Sequence, residues 1–388
     1  MESRAASARR FAPTALMLGN VVIGCAVLAP AGMLKELSEG LDVSIRTAGL
    51  LITFGAVVLC VGSPVTAWLT SRIERRGLLA ATLAVLAGTN IASAFAPDYA
   101  SLMALRLLML AIGVIYTPQA AGTAAMIVPE TRRGSTIAYV FLGWSLAAAI
   151  GLPLITLVAH RYGWRAAYGG ISALGILSFL LLMWQLPRGL FGAPVELRTW
   201  LELARKPLVV LLLLITTLYM SGQFVIFTFM GPLLERLSGA SADAIGLTFA
   251  LYGAFGFIGV AIATRIVDGW GAWRTSVLFL ALVLAGVAGW ALSAGNYLLM
   301  AVSVAVWGSG FAASNSMQQV RLVAAAPPMA SASVSLNTSV LYIGQAIGSA
   351  IGAFLYGRDM LYGAGYVGTA FLLAALLLAV ATRPRPAR

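Results

Sequence analysis

Twelve stretches of this chain run for about 20 residues each with almost no charge, the length a helix needs to cross the hydrocarbon of a bilayer. They fall near residues 12–34, 47–70, 78–97, 100–127, 135–159, 166–186, 207–234, 244–264, 275–294, 297–319, 331–356 and 365–382. A backbone in lipid must satisfy its own N–H and C=O groups, so each stretch is expected as a helix and the protein as an all-α polytopic membrane protein. Composition agrees. Of 388 residues 60% are apolar and 10% charged, and the mean hydropathy is +0.93; a soluble domain carries about 25% charged residues.

The net charge of +12 invites a nucleic-acid reading, and the placement of the charges rules it out. Twelve crossings bring both termini to one side of the membrane. Eighteen of the 25 Lys and Arg residues fall in loops on that side, six on the other, and Arg106 lies within a span. Basic loops stay cytoplasmic, so both termini are expected inside, and the charge is an orientation signal with no basic patch for nucleic acid. The first apolar run follows Arg4, Arg9 and Arg10 but exceeds the short core, about 7 to 15 residues, of a cleavable signal, and is expected to remain as the first helix. Cys25 and Cys60 both sit in apolar runs, which argues against a disulfide framework or a thiolate metal site; no cofactor is expected.

A loop near 188–206, with Pro194 and charges of both signs, divides the chain into six helices and six. The expected bodies are an N-terminal bundle over 1–187, a cytoplasmic linker over 188–206 and a C-terminal bundle over 207–388. Shifting the first half forward by 194 to 198 residues brings Pro13 to Pro207, Tyr99 to Tyr297, Pro129 to within two residues of Pro327, and Gly134-Ser135 to Ala330-Ser331. Six is an even number of crossings, so the copies run the same way. Parallel repeats of this kind build carriers that rock around a site between the halves.

The turn after the second helix reads Ala67-Trp68-Leu69-Thr70-Ser71-Arg72-Ile73-Glu74-Arg75-Arg76. It resembles motif A of the major facilitator superfamily, Gly-x-x-x-Asp-Arg-x-Gly-Arg-Arg, with Arg72, Arg75 and Arg76 matching, while Ala67, Ser71 and Glu74 depart from it. The second half offers Thr264, Asp268, Gly271 and Arg274 at the same place, with the motif's acid retained. The fourth span opens Leu105-Arg106-Leu107-Leu108, resembling motif B, although its later glycine is Leu110 here. Gly143, Gly151 and Pro153 on the fifth helix resemble motif C, the antiporter signature, with the proline one residue late; a Gly163-Trp164-Arg165 turn follows. The resemblance covers essentially the whole chain and is nearest to efflux members of the arabinose-efflux and drug/proton-antiporter type. It implies two parallel six-helix repeats, a cytoplasmic gate at Arg72, Arg75, Arg76, Asp268 and Arg274, and helix sliding and bending at Gly143, Gly151 and Pro153.

A charge in hydrocarbon costs about 2.5 to 3.5 kcal/mol on insertion scales, which makes Arg106 a candidate cavity charge. The competing reading is that it snorkels to the headgroups. All thirteen acids fall in loops or at helix ends, and the single histidine, His160, lies in a loop on the far side from the termini. Proton antiport is therefore what the resemblance implies, with no carboxylate in the spans to carry it.

A selection of the other polar and aromatic residues of the spans forms the candidate cavity. It comprises Asn20, Tyr116, Gln119, Trp144, Tyr219, Gln223, Trp307, Asn315, Asn337, Tyr342 and Gln345, and several lie on helices that line the central cavity of the resembled fold. Such a surface suits neutral or weakly amphipathic solutes, although an isolated Asn or Gln serves equally as a bond between helices. Gly344, Gly348 and Gly352 on the eleventh helix are expected to admit a close neighbour.

The sequence reads as a monomeric carrier of the bacterial cytoplasmic membrane that exports a small organic solute, drug-like or sugar-like, by alternating access, with protons as the coupling ion of the resembled family. An importer of the same fold, a membrane-embedded enzyme and a transport-dead sensor are the alternatives. The enzyme would want clustered His, Asp, Glu or Ser in one plane, and a single histidine in an outer loop with no acid in the spans argues against it.

Overall fold

The structure is a computed structural model. It describes residues 11–70, 72–129, 133–191, 202–203, 205–326 and 329–383, without the side chains of Pro64, Ala67, Arg133, Gly134, Ser135, Ala138, Asp268, Ala330, Ser331 and Ala332. Ser71, most of the 188–206 linker, Pro327 and the side chain of Asp268 thus lie outside the described residues, and with them the Gly134-Ser135 and Pro327 matches of the repeat.

Among the described residues twelve helices are long and apolar enough to cross a membrane. They are α1 Ala12–Gly32, α2 Ile45–Leu69, α3 Arg75–Ala94, α4 Tyr99–Met126, α5 Tyr139–Tyr162, α6 Trp164–Gln185, α7 Pro207–Phe227, α8 Ala242–Val267, α9 Gly269–Leu292, α10 Tyr297–Ala325, α11 Ser333–Gly357 and α12 Leu361–Ala381. Each agrees with an expected run to within a few residues, apart from the ends of α7, α9 and α10.

The helix starts are written in local chemistry, and the two halves write them alike. Ser44 caps α2 by accepting from Thr47 N at 3.1 Å, and Ser241 caps α8 by accepting from Ala244 N at 3.3 Å. Asp98 caps α4 through Ser101 N at 2.8 Å, and Asn296 caps α10 through Leu299 N at 3.2 Å. The tyrosine after each of these caps reaches back to the preceding cap: Tyr99 Oη donates to Thr47 O at 2.6 Å and Tyr297 Oη to Ala244 O at 2.9 Å. A shift of 197 or 198 residues relates every member of this set, so the repeat extends from sequence to geometry.

Glycines set the packing inside each half. A Cβ built on Gly344, Gly348 or Gly352 of α11 would lie 2.5, 2.3 or 2.5 Å from the carbonyl oxygens of Thr217, Ser221 and Val225 on α7, so the two backbones touch. In the first half Gly143 meets Met17 O of α1 at 2.4 Å and Gly151 meets Cys25 Sγ at 2.4 Å. The halves meet along two seams, α2 against α11 and α5 against α8.

Prolines break three spans. Pro118 cannot donate to Val114 O, and the hydrogen-bond ladder of α4 is interrupted at Val114–Ile115 while the backbone dihedrals there stay helical. Ahead of Pro153, α5 loosens into a π-helical turn over Ala147–Gly151. The expected seventh span of 207–234 is corrected by Pro232, which leaves Thr228 O without its helical donor; α7 stops at Phe227 and a separate helix runs Met230–Ser238. The first half has a similar piece, Leu34–Gly40, after a break at Met33.

Two basic residues counted as loop charges are also corrected. Arg75 opens α3 and is 6% exposed, and Arg321 lies in the last turns of α10 and is 7% exposed. Positive-inside sorting registers the side of the membrane and not depth within the protein.

Candidate functional site

The far side, away from the termini, is shut. Lys35 Nζ of the Leu34–Gly40 helix meets Glu235 Oε1 of the Met230–Ser238 helix at 2.5 Å, joining the two halves. This hydrogen bond holds the Lys35 pKa above its ordinary value. Beneath it Phe229, fully buried, stacks on Tyr356 with ring centroids 5.4 Å apart and fills the space over Gly49 of α2 and Gly352 of α11. Glu36, next to Lys35, lies 3.8 Å from His160 Nδ1, and burial pushes its carboxyl pKa up.

Deeper in the spans each half builds a polar cluster at a corresponding level. In the first, Asn20 Nδ2 donates to Val140 O at 2.9 Å, Asn20 Oδ1 accepts from Thr117 Oγ1 at 2.8 Å, and Trp144 Nε1 donates to Thr117 Oγ1 at 3.2 Å. In the second, Thr216 Oγ1 donates to Asn337 Oδ1 at 2.8 Å and Asn337 Nδ2 to Asn315 Oδ1 at 3.1 Å. Val140 and Asn337 are 197 residues apart, and Thr117 and Asn315 are 198 apart. One cluster ties α1, α4 and α5; the other ties α7, α10 and α11.

Beside the second cluster stands an aromatic group. Phe227 has Phe224, Phe249, Tyr252 and Trp307 around it at centroid distances of 5.3, 5.7, 5.0 and 6.1 Å, and Phe311 stacks on Tyr252 at 5.6 Å. Gln223 Oε1 accepts from Trp307 Nε1 at 3.1 Å and from Tyr252 Oη at 3.3 Å, holding both rings. Tyr219 is fully buried, and its hydroxyl has no partner among the described residues.

Of the expected cavity residues, Asn20 and Trp144 join the first cluster, Asn315 and Asn337 the second, and Gln223 and Trp307 the aromatic group. Tyr342 and Gln345 are buried on α11. Tyr116 is fully buried, with its hydroxyl 3.4 Å from Leu16 O. Gln119 goes elsewhere: its carbonyl oxygen accepts from Arg75 and its Nε2 donates to Thr70 Oγ1 at 3.1 Å, near the terminus-side ends of α2 and α3.

Arg106 differs most from expectation. It is 2% exposed, neither snorkelling nor offering charge to open space: Nη1 donates to Ala26 O at 2.5 Å, Nη2 to Val27 O at 2.8 Å and Nε to Leu51 O at 3.3 Å. Its partners are backbone carbonyls of α1 and α2.

The expected gate residues divide. Arg72 and Arg274 are exposed. Arg75 is held by Gln119, Arg76 donates to Met183 O of α6 at 2.6 Å, and Glu74 accepts from Gly77 N at 2.6 Å and Gly189 N at 3.1 Å, so this turn is braced within its own half. Gly143 and Gly151 seat α5 on α1, and the π-helical turn ahead of Pro153 meets α8, where a Cβ on Gly253 would lie 2.2 Å from Ala149 Cα. Arg321 donates to Thr382 Oγ1 at 2.7 Å and Gln318 Oε1 at 3.2 Å. The three arginines buried among the described residues, Arg75, Arg106 and Arg321, are thus met by neutral oxygen.

Sequence reading missed Thr216, Tyr252, Phe229 and the Lys35–Glu235 pair. Thr216 lies beside Thr217 in the strongly apolar stretch Pro207–Phe227, and only its place in the repeat, beside the counterpart of Asn20, marks it.

Comparison with known proteins completes the assignment. The family model described as Major Facilitator Superfamily matches residues 16–349. The inner membrane transport protein YdhP of Escherichia coli (strain K12) is 31% identical over 378 residues, covering 96% of each chain. A probable sugar efflux transporter of Mannheimia succiniciproducens is 25% identical over 87% of this chain and 85% of its own. Among solved structures, a D-xylose-proton symporter superposes with a TM-score of 0.76 at 15% identity, covering 96% of this chain and 97% of its own. A bacterial homologue of the lysosomal transporter Spinster, inward-facing and unoccupied, gives 0.73 at 16% identity over 97% and 98%. With twelve spans in two like-running sets of six and a family match over most of its length, the chain belongs to the Major Facilitator Superfamily.

Proposed function

We propose that this carrier exports a small uncharged organic solute, drug-like or sugar-like, by alternating access between the halves 1–187 and 207–388, joined by the 188–206 linker. The supporting observation is the pair of corresponding polar clusters, Asn20–Thr117–Trp144 and Thr216–Asn337–Asn315, one in each half. A solute held between the halves meets amides, hydroxyls and indole from both sides, and their rearrangement on binding drives the switch.

Among the described residues this surface carries no charge, and that selects the cargo. Arg75, Arg106 and Arg321 already have oxygen partners, and the acids of the sequence stay at helix ends, so a fixed charge on the solute would find no counter-charge. In this reading both termini lie in the cytoplasm of a bacterial cell, the protein works as a monomer in the cytoplasmic membrane, and the closed far side gives an inward-facing state. Asp268, Arg72 and Arg274 belong to the cytoplasmic gate. Protons are the coupling ion of the proposed antiport.

The test is flux in proteoliposomes with radiolabelled chloramphenicol and arabinose as neutral probes and ethidium as a charged one, under an imposed pH gradient. Uptake of a neutral probe into inverted vesicles, driven by an acidic interior, supports the reading. Driven movement of ethidium alone, or movement only in the import direction, overturns it.

A further inference from the structure

Pro30 lies in α1, four residues after Ala26, and having no N–H it deprives the Ala26 carbonyl of its helical donor. That oxygen is not left bare. Arg106 Nη1, reaching from α4, donates to it at 2.5 Å, while Nη2 and Nε bind Val27 O and Leu51 O. A buried guanidinium facing only carbonyls is a costly way to join helices, and its placement on the one carbonyl that Pro30 orphans gives it a purpose.

The position of the missing backbone bond matters. Toward the terminus side, α1 carries Asn20 and its bonds to Val140 O and Thr117. Toward the far side, it passes the break at Met33 and enters the Leu34–Gly40 helix, whose Lys35 meets Glu235 across the halves. One segment therefore runs from the polar cluster to the far-side closure, and its weakest backbone point is held by a side chain from another helix. A backbone N–H is fixed to its own helix; a guanidinium on a flexible stem can follow a carbonyl as the helix bends.

We propose that Arg106 is a positioning residue that replaces the N–H missing at Pro30, sets the bend of α1, and so links the Asn20 cluster to closure of the Lys35–Glu235 side. The proposal rests on the alternating-access reading above.

The test uses the full chain in lipid nanodiscs with Cys25→Ser and Cys60→Ser, and spin labels on Glu39→Cys and Asp243→Cys, two exposed far-side positions in opposite halves. Pulsed electron resonance then reads the distance between them. The expected result is a short and a long population in the parent, with the long-to-short ratio raised at least about fivefold by Arg106→Gln, as losing a hydrogen bond from a charged donor requires. Adding Pro30→Ala restores the backbone donor and returns the ratio toward the parent's, a rescue that generic loss of packing would not give. An unchanged ratio in Arg106→Gln, or a double variant no closer to the parent, overturns the proposal. Should Arg106→Gln yield no folded protein, recovery of folded protein in the double variant is the same rescue, and failure to recover counts against the proposal. A single population in the parent and every variant instead removes the alternating-access reading.

Discussion

Gly253 of α8 crosses α5 directly over Ala149, so closely that a Cβ on Gly253 would stand 2.2 Å from Ala149 Cα and 2.3 Å from its amide nitrogen. The crossing joins the two halves at the π-helical turn Ala147–Gly151. Since backbone blocks the space, Gly253→Ala is expected to lower stability by about 1–3 kcal/mol and to slow probe flux. Thermal unfolding in detergent with and without Ala149→Gly checks the cause: the second change should bring no recovery, because the obstructing atoms are not the alanine methyl.

Phe229 closes the far side by filling a space bounded by Gly49, Gly352 and the Tyr356 ring. Removing the ring leaves a cavity that glycines cannot fill. Phe229→Ala should cost about 3–5 kcal/mol, and Phe229→Leu substantially less. Chemical denaturation of the two variants side by side gives the comparison.

Gln223 accepts hydrogen bonds from both Trp307 and Tyr252. Gln223→Leu strands two buried donors at about 1–3 kcal/mol each, whereas Trp307→Phe with Tyr252→Phe removes the donors along with the need for them. The triple variant is therefore expected to be less destabilised than the sum of its parts, with a coupling of about 0.5–3 kcal/mol. A thermodynamic cycle on unfolding measures it.

Glu36 supplies a pH dependence. Its pKa is raised, by burial first, so the far-side-closed state holds the proton more tightly than an open state that hydrates the group. A raised carboxyl pKa contributes stability at low pH that is lost as pH climbs through the shifted value. Lys35 and His160 oppose the shift and Glu39 adds to it. Acidifying the far compartment to just above the ordinary glutamate range should increase the closed population, and Glu36→Gln should abolish that increase while His160→Gln preserves its sign. The spin-label distance between positions 39 and 243 is the readout; the label replaces Glu39, a minor contributor, and leaves in place the burial that dominates the shift.

The twelve spans were legible because hydrocarbon thickness imposes a length that little else in sequence imitates, and the repeat because prolines and a tyrosine mark equivalent starts. The breaks were less so. Pro232 announced the end of α7, but the apolar run continued past it, and hydropathy alone cannot see a missing N–H. In the candidate site, the charge of Arg106 was visible and its partners were not, since a backbone carbonyl has no letter of its own; only Pro30, four residues past Ala26, betrayed the oxygen that lacked a donor. Gln119 was read as cavity surface because polarity in a span looks the same whether it meets cargo or, as here, Arg75.

A reversible tether across the closed side brings these points to one measurement. Lys35→Cys and Glu235→Cys, in the Cys25→Ser and Cys60→Ser background, can be bridged by a bifunctional methanethiosulfonate reagent and freed by reductant. Their native ion pair is exposed and worth at most about 1 kcal/mol, so its loss alone should leave flux standing. Bridging should stop chloramphenicol or arabinose flux and reduction should restore it. Undiminished flux through fully bridged protein would mean that the halves need not part on the far side for a solute to cross.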